Sequence, residues 1–440
     1  MTKKVLQGEP GAGNSYARFE VGNSVSTKLR PKLHKIMIIF VSAMLAGHNA
    51  VAELYGGWQY RREGNGAVIF GELTNAEMVK TFRWAKEEWR KAYQDDPCGI
   101  LEIPQEIIAG LPLIGIGGRA FINCKELTGL KIPDGVMWIR SDAFKGCSSL
   151  RYDTTTIPGV KLLDGWVVGL VDSLPISGNL ILKSVRGIAD GAFENCTNIT
   201  SVTIPDSVRS IGARAFRNCS CLTSVRGGKG IRNIGDGAFR GCEKLAQNGF
   251  VIVGGVLCEY VGSQQDVSIP DGVICIGESP FGKITSVSMP DSVVKISEDA
   301  FEFNNLTNVV MSKSVSTIGR GAFLYCSSLT CITIPDSVTS MGDSVFKGCS
   351  RLKTITLSKK LKRVDNNAFQ GCKSLREVVI PQSVDSIGDE AFRDCLRLRK
   401  VVIQNDDVDI GRNVFRNCPN LRQIDTPDGQ FNPNTYNTPY

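Results

Sequence analysis

Apolar residues recur along most of this chain with a period close to 23 residues, and each unit ends in Ala-Phe or a close variant. The phenylalanines stand at residues 121, 144, 193, 216, 239, 281, 301, 323, 346, 369, 392 and 415. Within a unit, residues such as Ile332 and Ile334 alternate with Cys331 and Thr333, which predicts a short strand with its apolar face turned inward. Because one unit cannot bury that face alone, the period predicts stacked coils instead of separate globular domains.

The rest of each unit is expected to close the coil. Pro335 ends its strand because proline has no N–H for the ladder. Val338, Met341 and Phe346 then line the interior, and Gly342 permits the turn before the Ala-Phe variant. This spacing is the leucine-rich-repeat signature. It predicts an α/β-type repeat solenoid that is mainly β, a right-handed leucine-rich-repeat solenoid with a parallel concave sheet and about 12 coils of 23 residues.

Two of the intervals between phenylalanines are longer, and each contains an apolar, β-branched segment interrupted by turn residues. One segment breaks at Asp164-Gly165 and the other at Gly254-Gly255. Such dipeptides between apolar runs favour β-hairpins. We therefore predict hairpin insertions near residues 158–180 and 248–265, within a solenoid that covers residues 99–425.

Both ends of the array depart from the period. Residues 53–98 are expected to form an N-terminal cap over the first coil, made of a hairpin over residues 58–72 and an amphipathic helix that begins at Thr74. Residues 426–440 are rich in Pro, Asn and Thr and are expected to form a flexible tail.

A basic stretch precedes a short apolar run near the start of the chain. Residues 28–35 hold four basic side chains, the run extends from Ile36 to Ala46, and Ala50-Val51-Ala52 follows. This order is typical of a secretory signal peptide, and the run is shorter than the ~20 residues that span a bilayer. We interpret residues 1–52 as a signal peptide with an atypical N-terminal extension, cleaved after Ala52. The alternatives are a buried core helix and an uncleaved anchor.

This leader changes the meaning of the composition. The whole chain carries 51 Lys and Arg against 44 Asp and Glu, a net charge of +7, and two histidines. Residues 53–440 keep 44 basic and 42 acidic side chains and no histidine, since His34 and His48 lie in the leader. This balance gives no reason to expect a nucleic-acid partner. We expect no membrane insertion after cleavage, and a monomer.

The lack of histidine in residues 53–440 excludes Ser-His-Asp and Cys-His catalytic arrangements there. A glycoside hydrolase with paired carboxylates is kept as a remote alternative. However, Asp206, Asp271, Asp291 and Asp336 each follow the proline of a unit, where aspartate is an ordinary turn residue. We therefore predict that the protein is not an enzyme, and we predict no cofactor and no metal site.

Ten of the fifteen cysteines stand three residues after an anchor phenylalanine, at positions 124, 147, 196, 219, 242, 326, 349, 372, 395 and 418. A disulfide staple or a metal ladder is the alternative to simple packing. Coils about 4.8 Å apart bring such residues close, but parallel side chains do not present the geometry of a disulfide, and the absence of Cys-x-x-Cys counts against zinc. We interpret the row as buried thiols that pack as small apolar groups. Cys331, at an outward strand position, is the thiol expected to react most readily.

Units that contain Ile-Pro-Asp-Ser-Val, at residues 204–208 and 334–338, together with Ile-Gly-x-x-Ala-Phe and Asn-Cys or Gly-Cys, resemble the BspA-like branch of leucine-rich repeats. The resemblance covers roughly residues 100–424. It implies a secreted or surface protein of the kind found in host-associated microbes and some protists, with a role in adhesion and in binding host proteins. It carries over no catalytic residue, because the family motif contains none.

Recognition is expected at the outward strand positions of the concave sheet. These candidate contacts are Ser201, Thr203, Ser224, Arg226, Ser286, Ser288, Cys331, Thr333, Thr354, Thr356, Glu377 and Lys400. Rows of hydroxyl groups also suit any solvated β face. Trp138, Trp166 and Tyr260, in loops and hairpins, are rival contacts because aromatic residues are frequent hot spots of interfaces; Trp166 packed on its own hairpin is the alternative.

The sequence therefore predicts an exported leucine-rich repeat binding protein that is secreted or held at the cell surface or in the periplasm. Its expected partner is a protein or a surface glycan. The alternative is a non-catalytic structural or scaffold component of the cell envelope.

Overall fold

The structure, a computed structural model, describes residues 54–55, 58–63, 66–69, 100–103, 105–108, 111–125, 127–172, 174 and 176–431. Within these residues the chain forms 34 strands and one 3₁₀ helix, Glu243–Leu245. The strands in chain order are β1 (Leu54–Tyr55), β2 (Trp58–Glu63), β3 (Gly66–Ile69), β4 (Ile100–Glu102), β5 (Glu106–Ile108), β6 (Leu111–Ile116), β7 (Gly129–Lys131), β8 (Trp138–Ile139), β9 (Val160–Leu163), β10 (Trp166–Leu170), β11 (Gly178–Ile181), β12 (Gly187–Ile188), β13 (Ile199–Ile204), β14 (Ser210–Ile211), β15 (Ser224–Gly227), β16 (Asn233–Ile234), β17 (Phe250–Val253), β18 (Val256–Tyr260), β19 (Asp266–Ser268), β20 (Cys275–Ile276), β21 (Ser286–Ser288), β22 (Lys295–Ile296), β23 (Asn308–Val310), β24 (Thr317–Ile318), β25 (Cys331–Thr333), β26 (Ser340–Met341), β27 (Thr354–Thr356), β28 (Arg363–Val364), β29 (Glu377–Ile380), β30 (Ser386–Ile387), β31 (Lys400–Ile403), β32 (Asp409–Ile410), β33 (Gln423–Thr426) and β34 (Gly429–Phe431).

The longer strands of successive coils form the long-strand ladder, made of β4, β7, β11, β13, β15, β19, β21, β23, β25, β27, β29, β31 and β33. These strands pair in parallel within five groups, β4 with β7, β11 to β15, β19 to β23, β25 with β27 and β29 to β33. Thr333, for example, pairs with Thr356 one coil further along. This ladder is the parallel sheet that the sequence predicted, and the mainly β leucine-rich-repeat solenoid is confirmed. It has about 13 turns instead of 12, because β33 follows the last anchor phenylalanine.

Two-residue strands form a second, short-strand ladder, made of β8, β12, β14, β16, β20, β22, β24, β26, β28, β30 and β32. Each contributes one apolar side chain to the interior, as Ile211 does beside Ile234 of the next coil. A regular coil thus places one strand in each ladder, and the apolar residues between the ladders fill the core.

The two predicted hairpin insertions are present. β9 pairs with β10 in antiparallel fashion, and β17 pairs with β18 in the same way. In each case the second strand then pairs in parallel with the short-strand ladder: Val167 lies beside Ile188, and Leu257 beside Ile276. Each hairpin therefore supplies a strand to the short-strand ladder of the coils that follow it.

The ends of the array are described in part. β2 and β3 pair antiparallel within the segment 58–72 where a hairpin was predicted, and β3 joins the short-strand ladder through β6. The predicted helix at Thr74, the leader 1–52 and the cleavage after Ala52 lie outside the described residues. At the other end β34 pairs with β33. Strand structure thus extends to Phe431, inside the segment 426–440 that was predicted to be a flexible tail.

The anchor phenylalanines form an aromatic stack along the core. Phe193 and Phe216 lie with ring centroids 5.0 Å apart, and Phe346 and Phe369 lie 5.6 Å apart. These four rings are fully buried. Stacked rings at this spacing add to the large apolar area that each phenylalanine buries, so the stack is a principal source of contact between coils.

The repeated cysteines are free thiols that also bond between coils. Cys349 Sγ donates to the carbonyl oxygen of Phe323 at 3.2 Å, and Cys372 Sγ donates to that of Phe346 at 3.2 Å. The same bond is made by Cys147, Cys219, Cys242, Cys326, Cys395 and Cys418. Burial raises the pKa of Cys326 to about 12, which keeps its thiol protonated and able to donate. The buried packing row is confirmed, except that Cys196 and Cys418 are half-buried.

The glycine of the Ile-Gly motif has a different role from the one predicted. A Cβ atom at Gly342 would lie 2.5 Å from the backbone nitrogen of Arg320 in the preceding coil, and one at Gly212 would lie 2.4 Å from the backbone nitrogen of Asp190. Neither glycine has a positive φ. The motif therefore requires glycine because two backbones approach closely, and the positive φ falls two residues later, at Ser344 and Arg214.

Candidate binding surface

The long-strand ladder brings the predicted contact residues together in neighbouring coils. Ser201 pairs with Ser224, and Thr203 pairs with Arg226. Cys331 pairs with Thr354 in the same manner. Because inward and outward residues alternate along each strand, these pairings place side chains of equivalent positions side by side on one face. We call this the long-strand face; it consists of the outward side chains of the long-strand ladder.

Exposure divides the predicted contact residues into two groups. The exposed residues are Arg226, Cys331, Thr333, Thr354, Thr356 and Glu377. The half-buried residues are Ser201, Thr203, Ser224, Ser286, Ser288 and Lys400. The most accessible hydroxyl groups therefore lie on β25 and β27, while the serines of the earlier coils are more shielded.

Some polar residues of this face were missed by sequence reasoning. Ser201 Oγ donates to Asn179 Oδ1 at 2.8 Å, and Ser288 Oγ donates to Ser268 Oγ at 3.1 Å. Asn179 and Ser268 belong to coils that follow the hairpins, where the period is disturbed. The Ile-Pro pair directly after Ser268 was the signal that marks its strand.

The three predicted aromatic contacts are placed differently from one another. Trp166 is only 2% exposed, so its prediction as a contact is wrong, and it packs in the core beside Gly187 of the next coil. A Cβ atom at Gly187 would lie 2.6 Å from the Trp166 ring, which explains why a glycine stands there. Trp138 has the same arrangement with Gly115, and the guanidinium of Arg140 lies 4.9 Å from its ring.

Tyr260 replaces an anchor phenylalanine at the second hairpin. Its ring lies 4.9 Å from that of Phe250 and 6.2 Å from that of Phe281. Like Trp138, it is half-buried. Both side chains therefore serve packing first, and each presents only part of its surface to solvent.

The turn aspartates accept hydrogen bonds from the next coil. Asp336 Oδ1 accepts from the backbone N–H of Lys359 at 2.9 Å, and Asp206 Oδ1 accepts from that of Lys229 at 3.0 Å. Asp291 repeats this contact. These carboxylates therefore stabilise turns, as the sequence predicted for aspartate after proline.

Two depressions mark the surface of the described residues. One, of about 390 Å³, lies beside β31 and β33, and the other, of about 260 Å³, lies beside the first hairpin near Phe144, Tyr152 and Lys161. In this part of the chain no set of three or more His, Cys, Asp or Glu side chains is arranged to hold a metal ion. No described helix is long and apolar enough to cross a bilayer.

Several solved structures resemble this chain. A leucine-rich repeat protein from Bacteroides ovatus is 21% identical, with 87% of this chain and 94% of that chain covered and a TM-score of 0.35. One from Eubacterium ventriosum is 19% identical, with 86% and 93% covered and a TM-score of 0.35. A leucine rich cell surface protein from Faecalibacterium prausnitzii is 22% identical, with 90% and 100% covered and a TM-score of 0.30. The comparison with curated proteins found no match.

The repeat itself identifies the family. The family model described as BspA type Leucine rich repeat region (6 copies) matches residues 102–159, 176–250, 253–376 and 342–436. These segments span more than half of the chain and contain both ladders and the anchor phenylalanines. This chain belongs to the BspA-type leucine-rich repeat family.

Proposed function

We propose that this chain is a non-catalytic binding protein, exported to the cell surface, that recognises a protein or a surface glycan through the long-strand face. The observation that carries this proposal is the in-register row of exposed hydroxyl groups on β25 and β27. Thr333 and Thr356 lie side by side there, next to Cys331 and Thr354. Their side chains are exposed while the interior beneath them is filled.

The chemistry of this row suits recognition through hydrogen bonds. Each threonine hydroxyl both donates and accepts, and neighbouring coils repeat the group about every 4.8 Å. A glycan presents hydroxyl groups, and a peptide presents N–H and C=O groups, at comparable density. Trp138, in β8, and Tyr260, in the second hairpin, are half-buried and offer further contact surface.

Two observations support the proposed location at the cell surface. The leader predicted over residues 1–52 directs export, and membership of the BspA-type family is consistent with a protein of the cell surface. A repeat solenoid buries its apolar residues between ladders and offers its strand faces to partners, which favours binding over catalysis.

A screen of the full chain against arrays of host proteins and glycans tests the proposal. The triple variant Thr333→Lys, Thr354→Lys, Thr356→Lys should abolish binding of any protein or uncharged glycan that the screen finds, because three long charged side chains would cover the row. The matched control places three lysines on exposed positions of the short-strand side, at Thr317, Thr339 and Ser340, and should bind as the unaltered chain does.

Two results would contradict the proposal. Binding that survives the first triple variant would exclude the long-strand face as the contact surface. If no protein or glycan bound above background, the chain would instead be a structural component of the envelope.

A further inference from the structure

The residue directly before the first outward residue of each long strand forms a column of its own along the coils. In most of the earlier coils this residue is threonine, as at Thr200, Thr223, Thr285, Thr307 and Thr330. In the last four coils it is basic, at Lys353, Arg376, Arg399 and Arg422, with a constant spacing of 23 residues. We call these four residues the basic strip.

Backbone hydrogen bonds show that the strip is in register. The N–H of Lys353 donates to the carbonyl of Thr330 at 2.8 Å, that of Arg399 to the carbonyl of Arg376 at 2.8 Å, and that of Arg422 to the carbonyl of Arg399 at 3.0 Å. All four side chains are exposed. With coils about 4.8 Å apart, the strip is a line of four cations roughly 14 Å long.

The basic residues replace a side chain that stabilises the stack. Thr223 Oγ1 donates to the carbonyl oxygen of Thr200 at 3.0 Å, and Thr307 Oγ1 donates to that of Thr285 at 3.2 Å. Lysine or arginine at this position gives up that bond and sets like charges beside one another, which destabilises neighbouring strands. The packing of the coils therefore does not explain the strip.

The charges of the strip are not neutralised within the described residues. None of the four side chains is in an ion pair there, whereas Lys400 in the adjacent column pairs with Asp425 at 3.0 Å. Three further exposed cations, Arg351, Lys373 and Arg397, stand in the loops that lead into these strands and are likewise unpaired in this part of the chain. Glu377 is the exposed carboxylate of the adjacent column.

From this arrangement we infer that the basic strip binds a linear anionic polysaccharide that bears sulfate or carboxylate groups. Regular cations along a straight edge match anions that repeat along an extended polymer. Three of the four are arginines, whose guanidinium groups bind such oxyanions through two parallel hydrogen bonds.

Nucleic acid is disfavoured by the composition of this edge. The segments 351–353, 373–377, 397–400 and 420–423 contain no aromatic residue, while proteins that bind single strands stack the bases on aromatic side chains. No described helix stands beside the strip to enter a major groove.

This inference goes beyond the proposed function, because no residue of the strip belongs to the row of predicted contacts on the long-strand face. The two proposals can also be contradicted by different results. Loss of binding by lysines at Thr333, Thr354 and Thr356 concerns the face, whereas loss by the strip variant below concerns the strip.

The test measures binding of the full chain to heparin, to de-sulfated heparin, to hyaluronan, to neutral dextran and to duplex DNA. The unaltered chain should bind heparin or the carboxylated polymers, bind dextran far more weakly, and release its ligand as salt rises, because exposed charges are screened. The affinity for heparin is compared with that for its de-sulfated form, which keeps the carboxylates. The difference shows whether sulfate or carboxylate is recognised.

The decisive variant is Lys353→Thr, Arg376→Thr, Arg399→Thr, Arg422→Thr, which restores the residue that the earlier coils use and so should keep the fold. Its affinity should fall about tenfold or more, as expected for the loss of four exposed charge contacts. The control replaces four exposed, unpaired cations elsewhere, Lys229, Arg232, Lys359 and Lys360, by threonine, and should lose less than about threefold.

A charge-conserving variant keeps the test independent of folding. Arg376→Lys, Arg399→Lys, Arg422→Lys retains the charge but not the paired hydrogen bonds, so binding should weaken by roughly two- to fivefold with an unchanged salt dependence. The inference is overturned if the threonine variant binds as the unaltered chain does, if the control variant loses as much, if duplex DNA binds as tightly as the glycans, or if no polyanion binds.

Discussion

The regular coils after the second hairpin and the coils beside the two hairpins continue their aromatic cores in different ways. From Phe323 to Phe346 and on to Phe369 the ring centroids are 5.2 and 5.6 Å apart, and nothing interrupts the stack. At the first hairpin, Phe144 is only half-buried and the interior is filled by Trp166. Phe144 still stacks on Phe121, with ring centroids 5.4 Å apart, and the next stacked pair is Phe193 with Phe216, beyond the hairpin.

The comparison implies that the same deletion costs different amounts in the two regions. Phe346→Ala removes a fully buried ring with stacked neighbours on both sides. The free energy of unfolding should therefore fall by about 3–5 kcal/mol. Phe144→Ala removes a half-buried ring at the interruption and should cost roughly half as much. Urea denaturation of both variants measures the difference. Equal losses would show that the stack is no stronger in the regular coils.

Close approach of backbones is shared by the two regions and distinguishes the glycine of the Ile-Gly motif from other glycines: a Cβ atom at Gly277, in the coil after the second hairpin, would lie 2.6 Å from the carbonyl oxygen of Leu257. Gly342→Ala would place a Cβ atom 2.5 Å from the backbone of the preceding coil, so the coils must shift, at a cost of roughly 1–3 kcal/mol. At Gly282, just past the second hairpin, a Cβ atom would meet nothing within 4 Å. Gly282→Ala should therefore change the unfolding free energy by less than about 0.5 kcal/mol. Thermal melts of the two variants measure this difference. If Gly342→Ala melted at the same temperature as the unaltered chain, the role assigned to the motif would be refuted.

The stability of the coil after the second hairpin should also depend on pH. Burial, together with the charges of Glu298, Asp236 and Asp299, raises the pKa of Glu278 to about 7 from its ordinary value of 4.5. Between these two values the folded chain holds a proton that the unfolded chain releases, so stability should fall as pH rises.

Removing this carboxylate should therefore stabilise the fold above neutrality. Glu278→Gln should gain roughly 3 kcal/mol at pH 8, and the gain should vanish near pH 4, where both states of the unaltered chain are largely protonated. Denaturation across this pH range measures it, with Glu377→Gln, an exposed site in the regular coils, as a control that should show no such trend. A gain that persisted at pH 4 would mean that the charge of Glu278 is not its cause.

Periodic and local features of the fold followed from the sequence. The inward row of Ile332 and Ile334 was predicted because alternation along a strand is a property of the backbone. The hairpins at Asp164-Gly165 and Gly254-Gly255 were predicted because a turn depends on a few adjacent residues. The basic strip was also within reach of the sequence, since its members recur every 23 residues.

Contacts between coils were harder to infer. For Trp166, the sequence left open a contact with a partner or packing on its own hairpin. The insertion feeds a strand into the short-strand ladder, and this places the ring in the core. The hydrogen bonds from the cysteines were missed because thiols are weak donors, and nothing in the repeat indicates which carbonyl lies beneath them.

The sequence by itself determined that this protein is one array of stacked coils, since a 23-residue unit with one apolar face has no other way to bury it. Only the tertiary structure decided which side chains meet across the coils. It set Gly342 against the backbone of the preceding coil, Cys349 beneath the carbonyl of Phe323, and four cations along one edge. The physical reason is that a strand fixes which way its own residues point, whereas their neighbours come from 20 or more residues away, and stacking alone brings them together.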